Sequence, residues 1–354
     1  MAMNRGEWSE FYVILSLLSN PNMNVVDSDL NTITNNLYNV KKLTVEEQNN
    51  IIDYVISNDF DVDVYFSNTL FNKINSEDIL NEKKEFFDKI KNAEAGGGAF
   101  EIPTIQPLLN KMTPNGLLKS KSSSKEDLLA TVLDNRLGSE CDLKYSIKSC
   151  LGSPATLLNA SNKTNFVYKV YGLDKNCIDK INSIETRTKL VDRIKSIKEN
   201  GGKIEFDKVE CDSFDYNLKM IDSNMPQYIG DVLLNSYTYD NKNLKELFLN
   251  NSNFSDDTFA LKKLGDFLAG ISFGFFPSIK WNGINDVNGG LIIVKKDGNV
   301  VVLDLIYFRN KVIEYLINET KLDSPSSSRY HMLELYEENG TIYFKLNLQI
   351  RYKN

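Results

Sequence analysis

Two neighbouring segments in the first half of the chain carry β-strand patterns, and only a short turn separates them. The run from Asp127 to Asp134 is apolar and contains β-branched residues, whereas Cys141 to Cys150 alternates between apolar and polar residues. Between them, Arg136 to Ser139 includes a glycine and is typical of a turn. We therefore predict a β-hairpin, which places a sheet at this point of the fold.

The faces and the register of this hairpin decide which side chains meet. If residues 136 to 139 form the loop, Asp127 falls opposite Lys148 and Asp134 opposite Cys141. This register favours Asp127 over Asp134 as the catalytic carboxylate. Alternation places Tyr145, Ile147 and Ser149 on one face of the second strand and Asp142, Lys144, Ser146 and Lys148 on the other.

A carboxylate beside a lysine on adjacent strands indicates a definite chemistry. Hydrolysis of a phosphodiester with Mg²⁺ needs oxygen ligands for a hard cation and a positive group near the scissile phosphate. Asp127 and Lys148 would supply both, about 5 Å apart across the ladder. Asp142 lies six residues from Lys148, about 20 Å along a straight strand, and is too distant. Such an acid–lysine pair also occurs by chance, with the acid merely starting a strand and the lysine extending from its edge. The pair alone is therefore weak evidence for a nuclease.

The patterns in the rest of the chain predict a mixture of helices and strands, an α/β fold. Glu7 to Leu18 has helical spacing, and helical patterns continue in patches to about Lys91. We expect a mainly helical region at 1–115, a nuclease core hairpin and following strand at 116–175, and a helical segment with a C-terminal sheet for DNA recognition at 176–354. One compact domain is the alternative. Further strands are predicted at Phe166 to Val170, Gly290 to Lys295, Val300 to Leu305 and Thr341 to Arg351, and helices at 176–200 and Phe259 to Phe273.

Composition excludes several classes of protein. The single histidine, His331, disfavours zinc enzymes that need several histidines and most Ser-His or Cys-His hydrolases. No apolar run long enough for a membrane span and no signal peptide is recognisable, and the four cysteines form no CxxC pair. Free thiols in a reducing cytoplasm are therefore expected. The net charge of −7 argues mildly against a purely electrostatic DNA binder, although Lys111, Lys119, Lys121 and Lys125 form a local basic run.

Ordered blocks of residues run from about residue 5 to residue 352. They comprise Gly6 to Glu10, Asp127-Leu128, the strand ending at Asp134, Tyr145 to Ser149, Leu151 to Ala160, Thr164 to Tyr168, Trp281, Gly289-Gly290, Ser326 to His331 and Phe344 to Arg351. These blocks resemble the HpaII-type family of type II restriction endonucleases, and the resemblance covers nearly the whole chain. Such ordered blocks are far more specific than an isolated acid–lysine pair.

The resemblance implies an α/β (α+β) fold with the PD-(D/E)xK nuclease core, a mixed β-sheet flanked by helices, with a helical N-terminal elaboration. It implies Mg²⁺ as the cofactor, Asp127 as the first acidic ligand and Lys148 as the motif lysine. The sequence departs from that pattern at Ser146, where Asp or Glu usually stands. Either Ser146 is a ligand through its hydroxyl or a water, or a carboxylate from the N-terminal helix, Glu10 or Glu7, takes that place.

The predicted DNA contacts lie in two polar blocks, a first from Leu158 to Asn165 and a second from Ser326 to His331, and in the last strand. The alternatives are an Asn-rich turn for the first block, a satisfied surface or core histidine at His331, and a solvent-exposed polar face on the last strand, where Asn347, Gln349 and Arg351 alternate. Arginine can read guanine, and hydroxyl groups can hold phosphate. The predicted DNA-binding residues are Ser149, Thr156, Asn159, Ser161, Lys163, Thr164, Asn165, Arg329, His331, Gln349 and Arg351.

The expected substrate is double-stranded DNA with a short, palindromic site, which implies a homodimer. A cognate DNA methyltransferase is the expected genetic partner, because host sites must be protected. The alternatives are a PD-(D/E)xK nuclease of DNA repair or structure-specific cleavage, and a non-catalytic DNA-binding protein on the same fold. Ser146 in place of an acid keeps the non-catalytic alternative open.

Overall fold

The computed structural model describes residues 2–47, 50–57, 61–93, 98–115 and 124–353. Lys119 and Lys121 of the basic run lie outside the described residues. The chain divides into two compact units, each described by itself below. Unit 1 comprises Met1–Ala155 and Asn285–Tyr315, and unit 2 comprises Thr156–Ile284 and Leu316–Lys353.

Unit 1 is built on a mixed sheet of ten strands. Its order is β3-β2-β15-β14-β10-β9-β4-β5-β6-β7, with parallel pairs at β10–β14 and β15–β2 and antiparallel pairs elsewhere. The strands are β2 (Val25–Val26), β3 (Thr32–Thr34), β4 (Tyr38–Glu47), β5 (Asn50–Ile56), β6 (Val62–Phe66), β7 (Thr69–Ile74), β9 (Leu128–Asp134), β10 (Ser139–Ser149), β14 (Gly290–Val294) and β15 (Val300–Asp304), with β1 (Ala2–Met3) paired to β8 (Phe100–Glu101) in a separate ribbon.

Helices cover this sheet. The predicted N-terminal helix is confirmed as α1 (Arg5–Ser19), which begins at a capping box formed by Asn4 and Glu7. Its apolar side packs on α2 (Ser76–Asn92), where the rings of Trp8 and Phe86 meet edge to face with centroids 5.6 Å apart. A 3₁₀ turn at Pro103–Ile105 leads into α3 (Gln106–Met112). The predicted α+β architecture, a large mixed sheet flanked by helices, is confirmed.

The expectation of helical patches up to about Lys91 is wrong for most of that region. The described residues between Tyr38 and Ile74 contain strands β4 to β7, and among the described residues only α2 follows as a helix in this region. These strands pair with one another and with β9, so contacts distant in sequence decide their structure. β-Propensity depends on such packing more than helix propensity does.

Unit 2 holds two smaller sheets, ordered β13-β12-β18-β17 and β11-β19-β16. The rings of Tyr168 and Phe344 stack across β12 and β18 with centroids 5.1 Å apart. The strands are β11 (Thr156–Leu158), β12 (Asn165–Tyr171), β13 (Lys203–Val209), β16 (Thr320–Leu322), β17 (Tyr336–Glu338), β18 (Thr341–Asn347) and β19 (Ile350–Tyr352). The helices are α4 (Cys177–Asn182), α5 (Lys189–Glu199), α6 (Asp212–Ile221), α7 (Met225–Thr238), α8 (Leu244–Leu249) and α9 (Asp257–Ala269), followed in the chain by α10 (Arg309–Glu319), which spans the boundary between the units.

The predicted terminal strand from Thr341 to Arg351 is wrong as a single element. It is divided into β18 and β19, which belong to different sheets, so the expected shared face of Asn347, Gln349 and Arg351 along one strand does not exist. Within the described ranges, the chain has no helix long and apolar enough to cross a membrane.

Candidate active site

The predicted hairpin is confirmed, but its register differs from the prediction. Asp134 pairs with Ser139 and Leu128 pairs with Tyr145, so the loop is residues 135–138. Asp127 therefore lies opposite Ser146, and its N–H donates to the Tyr145 carbonyl at 2.9 Å. The error is two residues, and because alternate residues share a face, the side chain of Lys148 stays on the same side as predicted.

The carboxylate of Asp127 accepts two hydrogen bonds from strand β10. Its Oδ2 accepts from the Ser146 hydroxyl at 3.0 Å and from the Ile147 N–H at 2.7 Å. The hydroxyl of Ser146 also accepts from Lys148 Nζ at 2.8 Å. A hydroxyl has one donor and two acceptor positions, so Ser146 can bridge the acid and the lysine.

Lys148 completes a compact polar cluster. Its Nζ donates to the Ile147 carbonyl at 2.9 Å and lies 3.7 Å from Asp127 Oδ2. The Lys148 and Asp127 side chains are 23% and 20% exposed, so both are accessible from solvent. The hairpin thus brings Asp127 together with Ser146 and Lys148 of the neighbouring strand β10. Their catalytic roles stay predictions.

The other aspartates of the hairpin lie elsewhere. Asp134 is buried at the far end of the hairpin, where it accepts from the Tyr307 hydroxyl at 2.8 Å and from the Arg136 N–H at 2.9 Å. Asp142 accepts from the Thr131 hydroxyl at 2.6 Å on an exposed part of the ladder. These contacts give both carboxylates structural roles away from Lys148.

Helix α1 contacts strand β10 through a pair of serine side chains. The buried Ser9 hydroxyl lies 2.9 Å from that of Ser149 and 2.8 Å from the Arg5 carbonyl. Glu10 follows Ser9 and is half-buried, whereas the Glu7 carboxylate accepts from the Asn4 N–H at 2.8 Å in the capping box. In the described part of the chain, no three His, Cys, Asp or Glu residues are grouped closely enough to hold a metal ion. Glu7, Glu10 and Asp127 therefore do not form a three-carboxylate cluster.

A second lysine near this cluster was not singled out by the sequence. Burial and the ammonium group of Lys148 lower the pKa of Lys125 to about 8, while Asp286 and Asp127 oppose that shift. The basic run included Lys125 only as one of four charges. Its position two residues before Asp127 was the available signal.

The two polar blocks predicted to contact DNA meet in unit 2. The Tyr330 hydroxyl donates to the Ala160 carbonyl at 3.0 Å, which joins the end of one block to the other. Both border a cleft of about 1010 Å³. Its lining includes Asn162, Lys163, Asn165, Lys208, Glu210, Tyr330, His331 and Lys345.

Several of the predicted DNA-binding side chains are engaged inside unit 2. The buried amide of Asn347 donates to the Ser161 carbonyl and to Asn165 Oδ1, both at 2.6 Å, and accepts from the buried Thr164 hydroxyl at 3.3 Å. Asn165 in turn donates to Glu210 at 2.8 Å. This network fixes the first block as a rigid loop.

The remaining predicted residues differ in exposure. The Arg351 side chain forms an ion pair with Asp323, with Nε and Oδ2 2.5 Å apart. The Gln349 side chain is buried. Thr156 of strand β11 lies opposite Arg351 of strand β19 in the sheet. His331 has a left-handed backbone with φ of 48° and its Nδ1 lies 2.9 Å from Glu334. The predicted residues that are exposed are Asn159, Lys163, Arg329 and His331.

Comparisons with known proteins agree along nearly the whole length of the chain. The family described as HpaII restriction endonuclease matches residues 4–352. The type II restriction enzyme HpaII of Haemophilus parainfluenzae is 35% identical, over 99% of this chain and 98% of that enzyme. A comparison with solved structures gives no match. Type II restriction enzymes are site-specific deoxyribonucleases that generally need a divalent metal ion. The chain belongs to the HpaII restriction endonuclease family.

Proposed function

We propose that this enzyme hydrolyses phosphodiester bonds of double-stranded DNA at a short palindromic site, with Mg²⁺ as cofactor and Asp127, Ser146 and Lys148 as its catalytic centre. The observation that carries the proposal is the contact of all three side chains through Asp127 Oδ2 and Ser146 Oγ, with distances of 2.8–3.7 Å. A carboxylate, a hydroxyl and an ammonium group on an accessible part of a rigid sheet suit a charged phosphodiester.

The donor atoms of this centre fit a magnesium ion. Asp127 Oδ2, Ser146 Oγ and the Ile147 carbonyl are all oxygen atoms and all surround the Lys148 ammonium group. Mg²⁺ prefers oxygen ligands and often takes only one or two carboxylates, with water and substrate phosphate completing its shell. When bound, the ion would supply Lewis-acid chemistry and lower the pKa of a water molecule.

The protein groups divide the remaining work. The Ile147 N–H and the Ser146 hydroxyl orient the carboxylate of Asp127. Lys148 would donate to the scissile phosphate or the attacking water, as a positive group in a partly desolvated site. We propose Glu10 before Glu7 as an additional acid, because Glu10 adjoins the Ser9–Ser149 contact and Glu7 serves the helix cap.

Unit 2 is proposed as the DNA-reading unit. Asn159, Lys163, Arg329 and His331 have exposed polar or charged side chains. Arg329 or Lys163 can contact phosphate or guanine. Ser161, Thr164 and Asn165 would act mainly by shaping the loop, since their polar groups bond within it. Thr156, Ser149, Gln349 and Arg351 remain proposed contacts of the same kind.

The biological setting follows from the substrate. A palindromic site calls for two catalytic centres related by twofold symmetry, so we propose a homodimer on DNA. We also propose action in the cytoplasm beside a DNA methyltransferase of the same specificity, which would protect host sites.

Digestion of phage DNA with Mg²⁺ tests the catalytic centre. Wild-type enzyme should give discrete bands, and Lys148→Ala should lose cleavage by about 100-fold or more while it still binds its site. Lys144→Ala is the matched control, because Lys144 lies on the same strand face but pairs with Glu126 at 2.6 Å. Equal cleavage by wild type and Lys148→Ala would remove the lysine from the mechanism, and a smear would contradict site-specific cutting.

A further inference from the structure

The ammonium group of Lys148 sits among the three oxygen atoms just proposed as cation ligands. Its Nζ lies 2.8 Å from Ser146 Oγ, 2.9 Å from the Ile147 carbonyl and 3.7 Å from Asp127 Oδ2. A hydroxyl, a carbonyl and a carboxylate oxygen around one point form a small cation site. The lysine therefore occupies the position that these atoms would offer to a metal ion.

We infer that Lys148 holds the cation position in the DNA-free enzyme and must swing out of it before a divalent ion can bind. This inference rests on the proposed function for the identity of the cation. Two positive groups cannot share three oxygen atoms at such distances, because their repulsion is strong in a partly buried site. The lysine can leave, since its four-carbon stem is flexible and its side chain is 23% exposed.

The presence of Ser146 in place of an acid affects the competition between Lys148 and a divalent ion. An acid at this position would give the centre two negative charges, whereas Ser146 leaves Asp127 alone against Lys148. The charges of the pair cancel, so the DNA-free centre attracts a divalent ion only weakly. A phosphate of bound DNA would supply the missing negative charge.

Binding of Mn²⁺ to the DNA-free protein, measured by electron paramagnetic resonance, tests this competition. Lys148→Met removes the ammonium and keeps the length of the side chain, so Mn²⁺ should bind about tenfold or more tightly than to wild type, a change of about 1.4 kcal/mol. Lys144→Met is the matched control, since it removes a lysine from the same face that pairs with Glu126. Its Mn²⁺ affinity should stay within about twofold of wild type.

The inference is overturned if Lys148→Met binds Mn²⁺ no more tightly than wild type, or if Lys144→Met gains as much. Thermal melting checks that each variant is folded. Should Lys148→Met not fold, the wild type itself gives a second readout, the rate at which an amine-reactive reagent labels Lys148. Saturating Mg²⁺ should raise that rate relative to Lys144, and an unchanged ratio would overturn the inference.

Failure of this inference and failure of the proposed function are distinguishable. If wild type does not cut DNA under any divalent ion, the catalytic proposal falls, whatever the Mn²⁺ affinities are. If wild type cuts DNA at discrete sites but Lys148→Met shows no tighter Mn²⁺ binding, only the exchange between lysine and cation is refuted.

Discussion

Gly152 lies shortly after strand β10 and packs against the side chain of Arg5 from helix α1. Its φ is +77°, and a Cβ there would lie 2.0 Å from Arg5 Nη1 and 2.9 Å from Arg5 Cδ. Gly152→Ala should therefore both strain the backbone and push Arg5 aside. The guanidinium would then lose its bond from Nη2 to the Ala93 carbonyl, which measures 2.5 Å.

The magnitude can be estimated from these two effects. A left-handed backbone costs a residue with a Cβ about 1–2 kcal/mol, and a lost hydrogen bond from a charged donor costs about 1.5–3 kcal/mol. Together they predict that Gly152→Ala lowers the free energy of unfolding by about 2.5–5 kcal/mol. Gly138 in the hairpin loop is the matched control, because its φ is +67° and a Cβ there meets nothing within 4 Å. Gly138→Ala should cost only about 1–2 kcal/mol.

Urea denaturation of the two variants measures this difference. The Arg5→Ala background provides a further comparison, since the clash disappears and Gly152→Ala should then cost about as much as Gly138→Ala. The reasoning is refuted if Gly152→Ala and Gly138→Ala destabilise the wild type equally, or if Arg5→Ala leaves the cost of Gly152→Ala unchanged.

Two further predictions concern pH and assembly. Burial raises the pKa of Asp304 although the Tyr307 N–H and the Tyr38 hydroxyl donate to it at 2.7 and 2.9 Å. The folded state then binds this proton more readily than the unfolded chain, so the contribution of Asp304 to stability falls as pH rises from the ordinary carboxyl range through the raised pKa. The free energy of unfolding of Asp304→Asn, relative to that of wild type, should therefore increase as pH rises through that range. A difference in stability that does not change with pH would contradict this. Sedimentation velocity with a cognate duplex should show two chains per duplex, and one chain per duplex would exclude the proposed homodimer.

The hairpin shows which parts of the fold local sequence can predict. The apolar run from Asp127 to Asp134, with its β-branched residues, predicted this strand correctly. In the sheet, every second residue from Leu128 to Asp134 is buried. The predicted register was wrong by two residues, because the loop is residues 135–138 and not 136–139. Register depends on the geometry of the turn, which the residue types in the turn do not determine uniquely. An even-numbered error preserves the face, so Asp127 and Lys148 still meet.

The parts that were missed depend on partners distant in sequence. Strand β4 contains four charged residues and is stabilised by pairing with strands β5 and β9. A search for helical spacing does not detect such pairing between distant segments. The buried Asn347 bonds to residues 161–165, more than 180 positions earlier, so its burial was not predictable from a polar alternation. Lys125 was likewise visible only as a charge until the fold placed it near Lys148.

The structure gives a physical account of Ser146, which stands where the general PD-(D/E)xK pattern usually has an acid. Its hydroxyl donates to Asp127 and accepts from Lys148, so it joins a negative and a positive group. A carboxylate could not do this, because an ionised acid has no proton to donate to Asp127 and would repel it. An acid at this position would place two negative charges beside the single ammonium group of Lys148, whereas with Ser146 the charges of Asp127 and Lys148 balance without a metal ion. Ser146→Glu should therefore bind Mn²⁺ in the absence of DNA more tightly than wild type, and an unchanged affinity would show that the charge at this position does not control the cation.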